Sequence, residues 1–532
     1  MKSISSTKLI ILVSVLLILF YNFTFFSKVI EVYPGNLKNI GFLISLAVLF
    51  ASITTILFSI SCFKYSIKPV LILTLVTSAG AAYFMDTYNV VIDSTMIDNI
   101  IQTNPAEAMD LFSLQFVLYL LLLGILPATI IYKTQINDRS IKTEIISRLK
   151  LITGACTVAA IAIFIFSDFY ASFLREHKPL RYYENPIFYL YSINKYVSGY
   201  FATPPGELVP IAQDATISPS DKNRELIIFV VGETARADHF SLNGYKRNTN
   251  PELEKRGVVS FTNFWSCGTS TAYSLPCIFS GDSREDFDDS TASNTENILD
   301  VLQRVGVNVL WLDNNSDSKG VALRVPYKNF RIPENNPICD PECRDVGMLS
   351  YLQSYIDDHP KGDIFIVLHQ MGNHGPAYYK RYPNEFKVFK PICETNQLEK
   401  CSTEEIDNAY DNAILYTDYF LSKTIDLLNS NKKDFESTMI YVSDHGESLG
   451  EKGLYLHGLP YIIAPNAQKH VPAIMWFSDS FDLHNKVNFA ELKKRKNNLY
   501  SHDNLFHTIL GLLEVKTRAY DKSLDIIDHN EN

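Results

Sequence analysis

The chain of 532 residues lacks a basic excess: 48 Lys and Arg stand against 58 Asp and Glu, for a formal net charge of −10. A nucleic-acid binder needs a basic face, so no nucleic-acid partner is expected. No C-x-x-C occurs, which weakens any reading of the cysteines as a metal knuckle. No internal repeat and no low-complexity tract interrupts the chain. Residues 86–111 contain no Lys or Arg at all, only Asp86, Asp93, Asp98, Glu107 and Asp110. No small-x-small cleavage site follows the first apolar run, so that run reads as a span and not as a signal peptide.

What is present divides the chain in two. The mean hydropathy of +0.01 is an average over an apolar N-terminal third and a mixed remainder. Five apolar runs, at about 9–26, 40–63, 69–85, 112–132 and 150–167, are long enough to cross a bilayer as helices. Lys2 and Lys8 precede the first. Lys64 and Lys68 separate the second from the third. Lys133, Arg139, Lys142, Arg148 and Lys150 crowd the loop before the fifth, against Asp138 and Glu144. Positive loops stay inside, so the N-terminus is expected in the cytoplasm and everything after about residue 168 outside it. The expected organisation is a transmembrane domain over 1–168, an interfacial linker over 169–222 and an exported domain over 223–532. The linker mixes aromatics with Arg175, Lys178, Arg181 and Lys195, as amphipathic interfacial helices do. Loop segments at 203–205 and 218–221 lead into the soluble part.

The cysteines agree with export. Cys62 and Cys156 fall in the spans. Cys267, Cys277, Cys339, Cys343, Cys393 and Cys401 all lie beyond them, in three close pairs. Six cysteines allow 15 connectivities, of which local pairing is the simplest, and an oxidising compartment favours disulfides over a zinc-cysteine site.

In the second half, β-branched runs at 226–231, 307–312, 364–368, 439–442 and 473–477 alternate with helical patterns at 296–304, 349–356, 404–429 and 504–513. That alternation predicts a mostly parallel sheet covered by helices on both faces. Ligands gather at the carboxyl ends of such strands. Polar residues cluster there: Glu233 to Arg236, then Asp313 to Asn315 with Lys319, then His369 and His374, then Ser443 to Glu447 with His457. Glu233, Asp444 and His445 supply an O,O,N set suited to zinc with a fourth position open. A hydroxyl in that position would have its pKa lowered and become a nucleophile. The stretch 266–272 offers several, and spacing alone does not choose among Thr269, Ser270, Thr271 and Ser274. Each residue taken singly has an ordinary reading, as a strand-end acid, a cap or a surface histidine. Chemistry alone stops at a membrane-anchored metallohydrolase or transferase.

The motifs carry further. VVGETAR at 230–236, SCGTSTAYSLPC at 266–277, WLDNNSDSKG at 311–320, HQMGNHGPAYYKRYP at 369–383, SDHGESLGEKGLYLHG at 443–458 and SHDNLFHTILGLL at 501–513 resemble the phosphoethanolamine–lipid A transferases, which include the mobile colistin-resistance enzymes. The likeness extends over the anchor and the loop 102–107. It implies a five-span helical membrane domain and an α/β/α domain of the alkaline-phosphatase/sulfatase type. It implies Thr271 as nucleophile, Glu233, Thr271, Asp444 and His445 around zinc, and His374, His457, Lys319 and Asn315 as substrate contacts. A second zinc ion in turnover is left open. The disulfides it implies are Cys267–Cys277, Cys339–Cys343 and Cys393–Cys401. Phosphatidylethanolamine is the implied donor and lipid A the acceptor, at the bacterial inner membrane with the catalytic domain in the periplasm, giving polymyxin resistance. The alternatives are a core-sugar acceptor or a glycerolphosphate transferase. A sulfatase is disfavoured because neither C-x-P-x-R nor S-x-P-x-R occurs. A non-catalytic receptor is disfavoured because no ligand or nucleophile is missing.

Overall fold

The computed structural model describes residues 3–103, 105–137, 139–202, 208–217, 223–340, 342–480 and 487–527. The expected loops at 203–205 and 218–221 lie outside the described residues, as does Asp138. The chain forms two compact units. One comprises Met1–Ile97 with Phe112–Val197, and the other Asp98–Leu111 with Ser198–Asn532.

The first unit is helical. Leu37–Ser61, Ile67–Tyr88, Leu114–Lys133 and Ile141–Ile165 are each long and apolar enough to cross a membrane. Ser6–Phe20 and Phe23–Val32 form a pair bent by 58°, which makes a fifth span if the two count as one. The run read as one span over 9–26 is therefore broken. The break has a local cause: Asn22 turns its side-chain amide back onto the carbonyls of Leu17, at 3.0 Å, and Asn185, at 2.6 Å. The helix read from 150 starts earlier, at Ile141. Its first turns are charged, but Arg148 is buried and satisfied, donating to the carbonyls of Ser59 and Cys62 and pairing with Glu144 at 2.8 Å. Hydropathy alone cannot see a charge that the packing neutralises. The linker carries the helices Ser167–Glu176 and Ile187–Ala202.

Among its described residues the second unit has twelve strands: β1 (Glu225–Gly232), β2 (Val259–Trp265), β3 (Asn308–Asp313), β4 (Tyr327–Asn329), β5 (Cys339–Asp340), β6 (Glu342–Cys343), β7 (Ile364–His369), β8 (Glu436–Ser443), β9 (Ser448–Leu449), β10 (Tyr455–Leu456), β11 (His470–Phe477) and β12 (Tyr500–Ser501). Eight of them make one sheet in the order β12-β2-β11-β8-β1-β7-β3-β4. Only β11 runs against its neighbours. In β1, Ile227, Phe229 and Val231 join a core with Leu275, Ile278 and Phe279 of the helix Thr271–Phe279. Leu226, Ile228 and Val230, of opposite parity, are equally buried. A strand covered on both faces reads as a continuous apolar run, which is how 226–231 reads. The opposite face holds the 28-residue helix Thr403–Ser430, which packs along β8 and opens with a capping box between Ser402 and Glu405.

The register brings the polar strand ends level. Val231 pairs with His369, Gly232 with Ser443, and Asp313 with His369. The residues that follow β1, β3, β7 and β8 therefore emerge at one edge of the sheet.

Candidate active site

Four of the predicted residues converge at that edge. Glu233 follows β1, Asp444 and His445 follow β8, and Thr271 is the first residue of the helix Thr271–Phe279. Thr271 Oγ1 donates to Glu233 Oε2 at 3.1 Å and lies 3.3 Å from His445 Nε2. His445 Nε2 is 3.4 Å from Glu233 Oε1 and 3.4 Å from Asp444 Oδ2. The other ring nitrogen, Nδ1, donates to the Gly446 carbonyl at 2.9 Å, which leaves Nε2 with its lone pair facing the two carboxylates. Asp444 Oδ1 accepts from the backbone of His445 at 2.8 Å, which turns Oδ2 inward. Glu233, Asp444 and His445 are wholly buried.

This donor set fits a cation. One ligand atom from each of Glu233, Asp444 and His445 lies within 4.8 Å of the other two. Two buried carboxylates and an imidazole lone pair, all acceptors, repel one another unless a positive charge sits between them. Burial pushes the Asp444 carboxyl up to about 6. Burial also holds His445 well below its ordinary value, with His457 adding to the effect. The neutral imidazole is the ligand form.

The structure places the hydroxyls that spacing left open differently. Thr269 Oγ1 is spent on the Leu459 carbonyl, at 2.7 Å. Thr271 is the one placed against both Glu233 and His445. Two restraints hold these segments together. His502 accepts from the Cys267 backbone N–H at 3.1 Å and bonds the Ser443 carbonyl at 3.0 Å, joining the start of the Thr271 segment to the end of β8. Thr234, at φ +51°, sits in the left-handed region that a β-branched residue avoids, directly after Glu233.

The remaining predicted residues fall around this cluster in three ways. His374 and His457 flank it: their rings are 6.0 Å apart, and His457 is 4.3 Å from the ring of His445. Burial, then the nearby Arg381 and His457, holds His374 well below the usual histidine value. Asn315 touches the cluster itself, donating to Glu233 Oε2 at 2.7 Å. Lys319 lines a cleft with Pro276, Asp282, Asp288 and Glu296. The six cysteines of the second unit are joined as Cys267–Cys277, Cys339–Cys343 and Cys393–Cys401. Cys62 and Cys156 are free.

Sequence reasoning gave no individual role to several residues of the surroundings. His369 bonds Asp313 at 2.8 Å in a pair that is fully buried. Glu447 bonds His457 at 2.9 Å and Tyr378 at 3.0 Å. Arg236 reaches from the β1 segment to the Glu447 carbonyl, at 3.2 Å, and to the carboxylates of Asp238 and Glu451. Arg381 donates to the His374 carbonyl at 2.6 Å and pairs with Glu342 and Asp110. Each stands inside a motif named above; His369, Glu447 and Arg236 also stand in the strand-end clusters, and for Arg381 the motif was the only signal available.

A mostly parallel sheet whose carboxyl edge sets a helix-start hydroxyl against two carboxylates and an imidazole defines the class: residues 225–515 match the family described as Sulfatase. Residues 50–201 match a second family, described as Phosphoethanolamine transferase EptA/EptB. Among whole-length relatives, phosphatidylethanolamine transferase Mcr-2 of Escherichia coli is 44% identical over 96% of both chains. Phosphoethanolamine transferase EptA of Salmonella typhimurium is 41% identical over 95% of this chain and 93% of its own. The integral membrane protein lipooligosaccharide phosphoethanolamine transferase A of Neisseria meningitidis has a solved structure that superposes with a TM-score of 0.94, at 36% identity over 99% of both chains. The chain belongs to the phosphoethanolamine transferase family and is a multi-pass membrane protein.

Proposed function

We propose that this chain transfers phosphoethanolamine from phosphatidylethanolamine to a phosphate of lipid A, at the bacterial inner membrane with its catalytic unit in the periplasm, and so confers polymyxin resistance. The observation that carries the reading is the position of Thr271 Oγ1 between Glu233 and His445, at a helix start and on the carboxyl edge of the sheet.

Glu233, Asp444 and His445 would hold a zinc ion, whose chemistry is to favour the ionised form of a nearby hydroxyl and to offset charge on phosphate oxygens. Thr271 Oγ attacks the phosphorus of the donor. The P–O bond to diacylglycerol breaks, and that alcohol leaves with a proton. The acceptor phosphate oxygen then attacks the same phosphorus, the Thr271 Oγ–P bond breaks, and Thr271 Oγ takes up a proton given by the acceptor phosphate or water. His374 and His457 contact the non-bridging oxygens. Because Thr271 opens a helix, backbone N–H groups at that helix start would add to this. Most of the rate in such transfers comes from positioning and charge stabilisation.

Lipid A extracted from cells with and without the protein, and with Glu233→Gln, tests the reading by mass spectrometry. Added phosphoethanolamine is expected with the wild type only. Addition to a core sugar, or of glycerolphosphate, would move the assignment to those acceptors or donors. Chelation should abolish transfer and zinc should restore it. Full transfer by metal-free protein would contradict the zinc assignment.

A further inference from the structure

The two histidines beside the Thr271 cluster ride on segments with little regular structure of their own. His374 follows β7 by five residues, and His457 directly follows β10, a strand of two residues. One carboxylate joins these segments. Glu447, fully buried, accepts from His457 Nδ1 with Oε2 at 2.9 Å and from the Tyr378 hydroxyl with Oε1 at 3.0 Å. Tyr378 lies on the His374 segment. It is 1% exposed and packs edge-on against Tyr410, with ring centroids 5.4 Å apart. Tyr410 in turn bonds the Thr234 carbonyl at 2.6 Å, beside Glu233.

The approach of these groups is close enough to constrain its neighbours. A Cβ at Gly375 would stand 2.9 Å from the Tyr378 hydroxyl and 3.0 Å from Glu447 Oε1. The segment between His374 and Tyr378 is thus shaped to bring the phenol onto the carboxylate. Burial and the facing Glu447 hold the phenol well above its ordinary pKa, so it stays a donor. A phenol that served only to fill the core would do as well as phenylalanine.

We propose that Tyr378 is a positioning residue for the transfer reaction: its hydroxyl fixes the Glu447 carboxylate in the rotamer that takes the Nδ1 proton of His457, which aims His457 Nε2 at the reacting phosphate in register with His374. The inference rests on the reading of His374 and His457 as phosphate contacts. Tyr378 touches neither substrate nor reacting atoms in this scheme. It acts through Glu447, and its effect falls on the transition state more than on donor binding.

The test uses the full-length protein in detergent with a fluorescent phosphatidylethanolamine as donor. Tyr378→Phe should lower kcat by about tenfold or more, the range typical of lost supporting hydrogen bonds. KM for the donor, bound zinc per chain and the thermal unfolding midpoint should stay close to wild type. Tyr378→Phe combined with Glu447→Gln should cost no more than Glu447→Gln alone, because both act on one path. An unchanged kcat in Tyr378→Phe overturns the proposal. So does a loss that tracks a fall in thermal stability, and so do losses that multiply in the double variant. His457→Ala separates the two levels. If it is inactive while Tyr378→Phe is normal, only the positioning role fails. If His457→Ala retains full kcat, the reading beneath it fails.

Discussion

Asn315 Nδ2 donates to Glu233 Oε2 over 2.7 Å and to the Gln370 carbonyl over 2.9 Å. Both bonds run to the protein, so the residue orients a carboxylate of the cation site. Outer partners of this kind tune metal affinity by about 10–100-fold. Asn315→Ala should therefore weaken zinc binding by about that factor, read by competition with a chelator, while Glu233→Ala should weaken it far more. Equal affinity in wild type and Asn315→Ala would show that Asn315 serves substrate alone.

Gly372 has φ +51°, and a Cβ there would meet the Glu233 carbonyl at 2.9 Å and the Glu233 Cβ at 3.1 Å. The obstacle is backbone on a buried strand end and cannot swing aside. Gly372→Ala should displace Glu233, costing zinc occupancy and most of the transfer activity, with about 1–3 kcal/mol lost in stability. Metal analysis and urea unfolding of the purified variant check both parts. Unchanged metal content would mean that the strand end yields.

His502 is buried with its two nitrogens committed, one as acceptor from Cys267 and one bonded to the Ser443 carbonyl. Burial lowers its pKa from 6.5 to about 3. A base whose folded pKa is depressed contributes stability that is present above its unfolded pKa and lost as pH falls. Stability should thus drop by about 1.4 kcal/mol per pH unit from this group as pH falls from about 6.5 towards 3. His502→Gln should be less stable at neutral pH but flatter across that window. Parallel pH profiles for wild type and variant would remove His502 from this account.

The three disulfides and the span count make a joint prediction about compartment. A C-terminal alkaline phosphatase fusion should be active, and non-reducing peptide mapping should recover Cys267–Cys277, Cys339–Cys343 and Cys393–Cys401, with Cys62 and Cys156 alkylated as free thiols. Free thiols at all six exported positions, or an inactive fusion, would contradict a periplasmic catalytic unit.

Much of this was legible in the sequence, for reasons that particular elements make plain. The strands at 226–231, 307–312, 364–368 and 439–442 are continuous apolar runs because both faces of the sheet are covered. The polar residues after them mark the carboxyl edge because parallel strands in register end together. What was not legible depends on partners distant in the chain. β2 mixes buried and half-buried positions without a period of two and carries Asn263, so it reads weakly as a strand. β4 and β12 are too short to leave a pattern. The reversed direction of β11 is set by its neighbours β2 and β8 and leaves no trace in its own composition. The break at Asn22 needs Asn185 to be visible. Asn315 reads as a loop amide until β3 and β1 are seen flanking β7, and Tyr378 reads as one aromatic among many until Glu447 is opposite it.

The central claim is that Thr271 carries phosphoethanolamine between donor and acceptor, and intact-mass analysis tests it most directly. Full-length protein supplied with phosphatidylethanolamine but no acceptor should gain the mass of one phosphoethanolamine on a fraction of molecules, since only slow hydrolysis removes it. Peptide mapping should place it on residues 266–277, at Thr271. Thr271→Ala should lose both the adduct and lipid A modification, and Thr269→Ala, whose hydroxyl is spent on Leu459, should keep the adduct. An adduct that persists in Thr271→Ala, or full lipid A transfer by that variant, would contradict the assignment and indicate direct transfer from donor to acceptor.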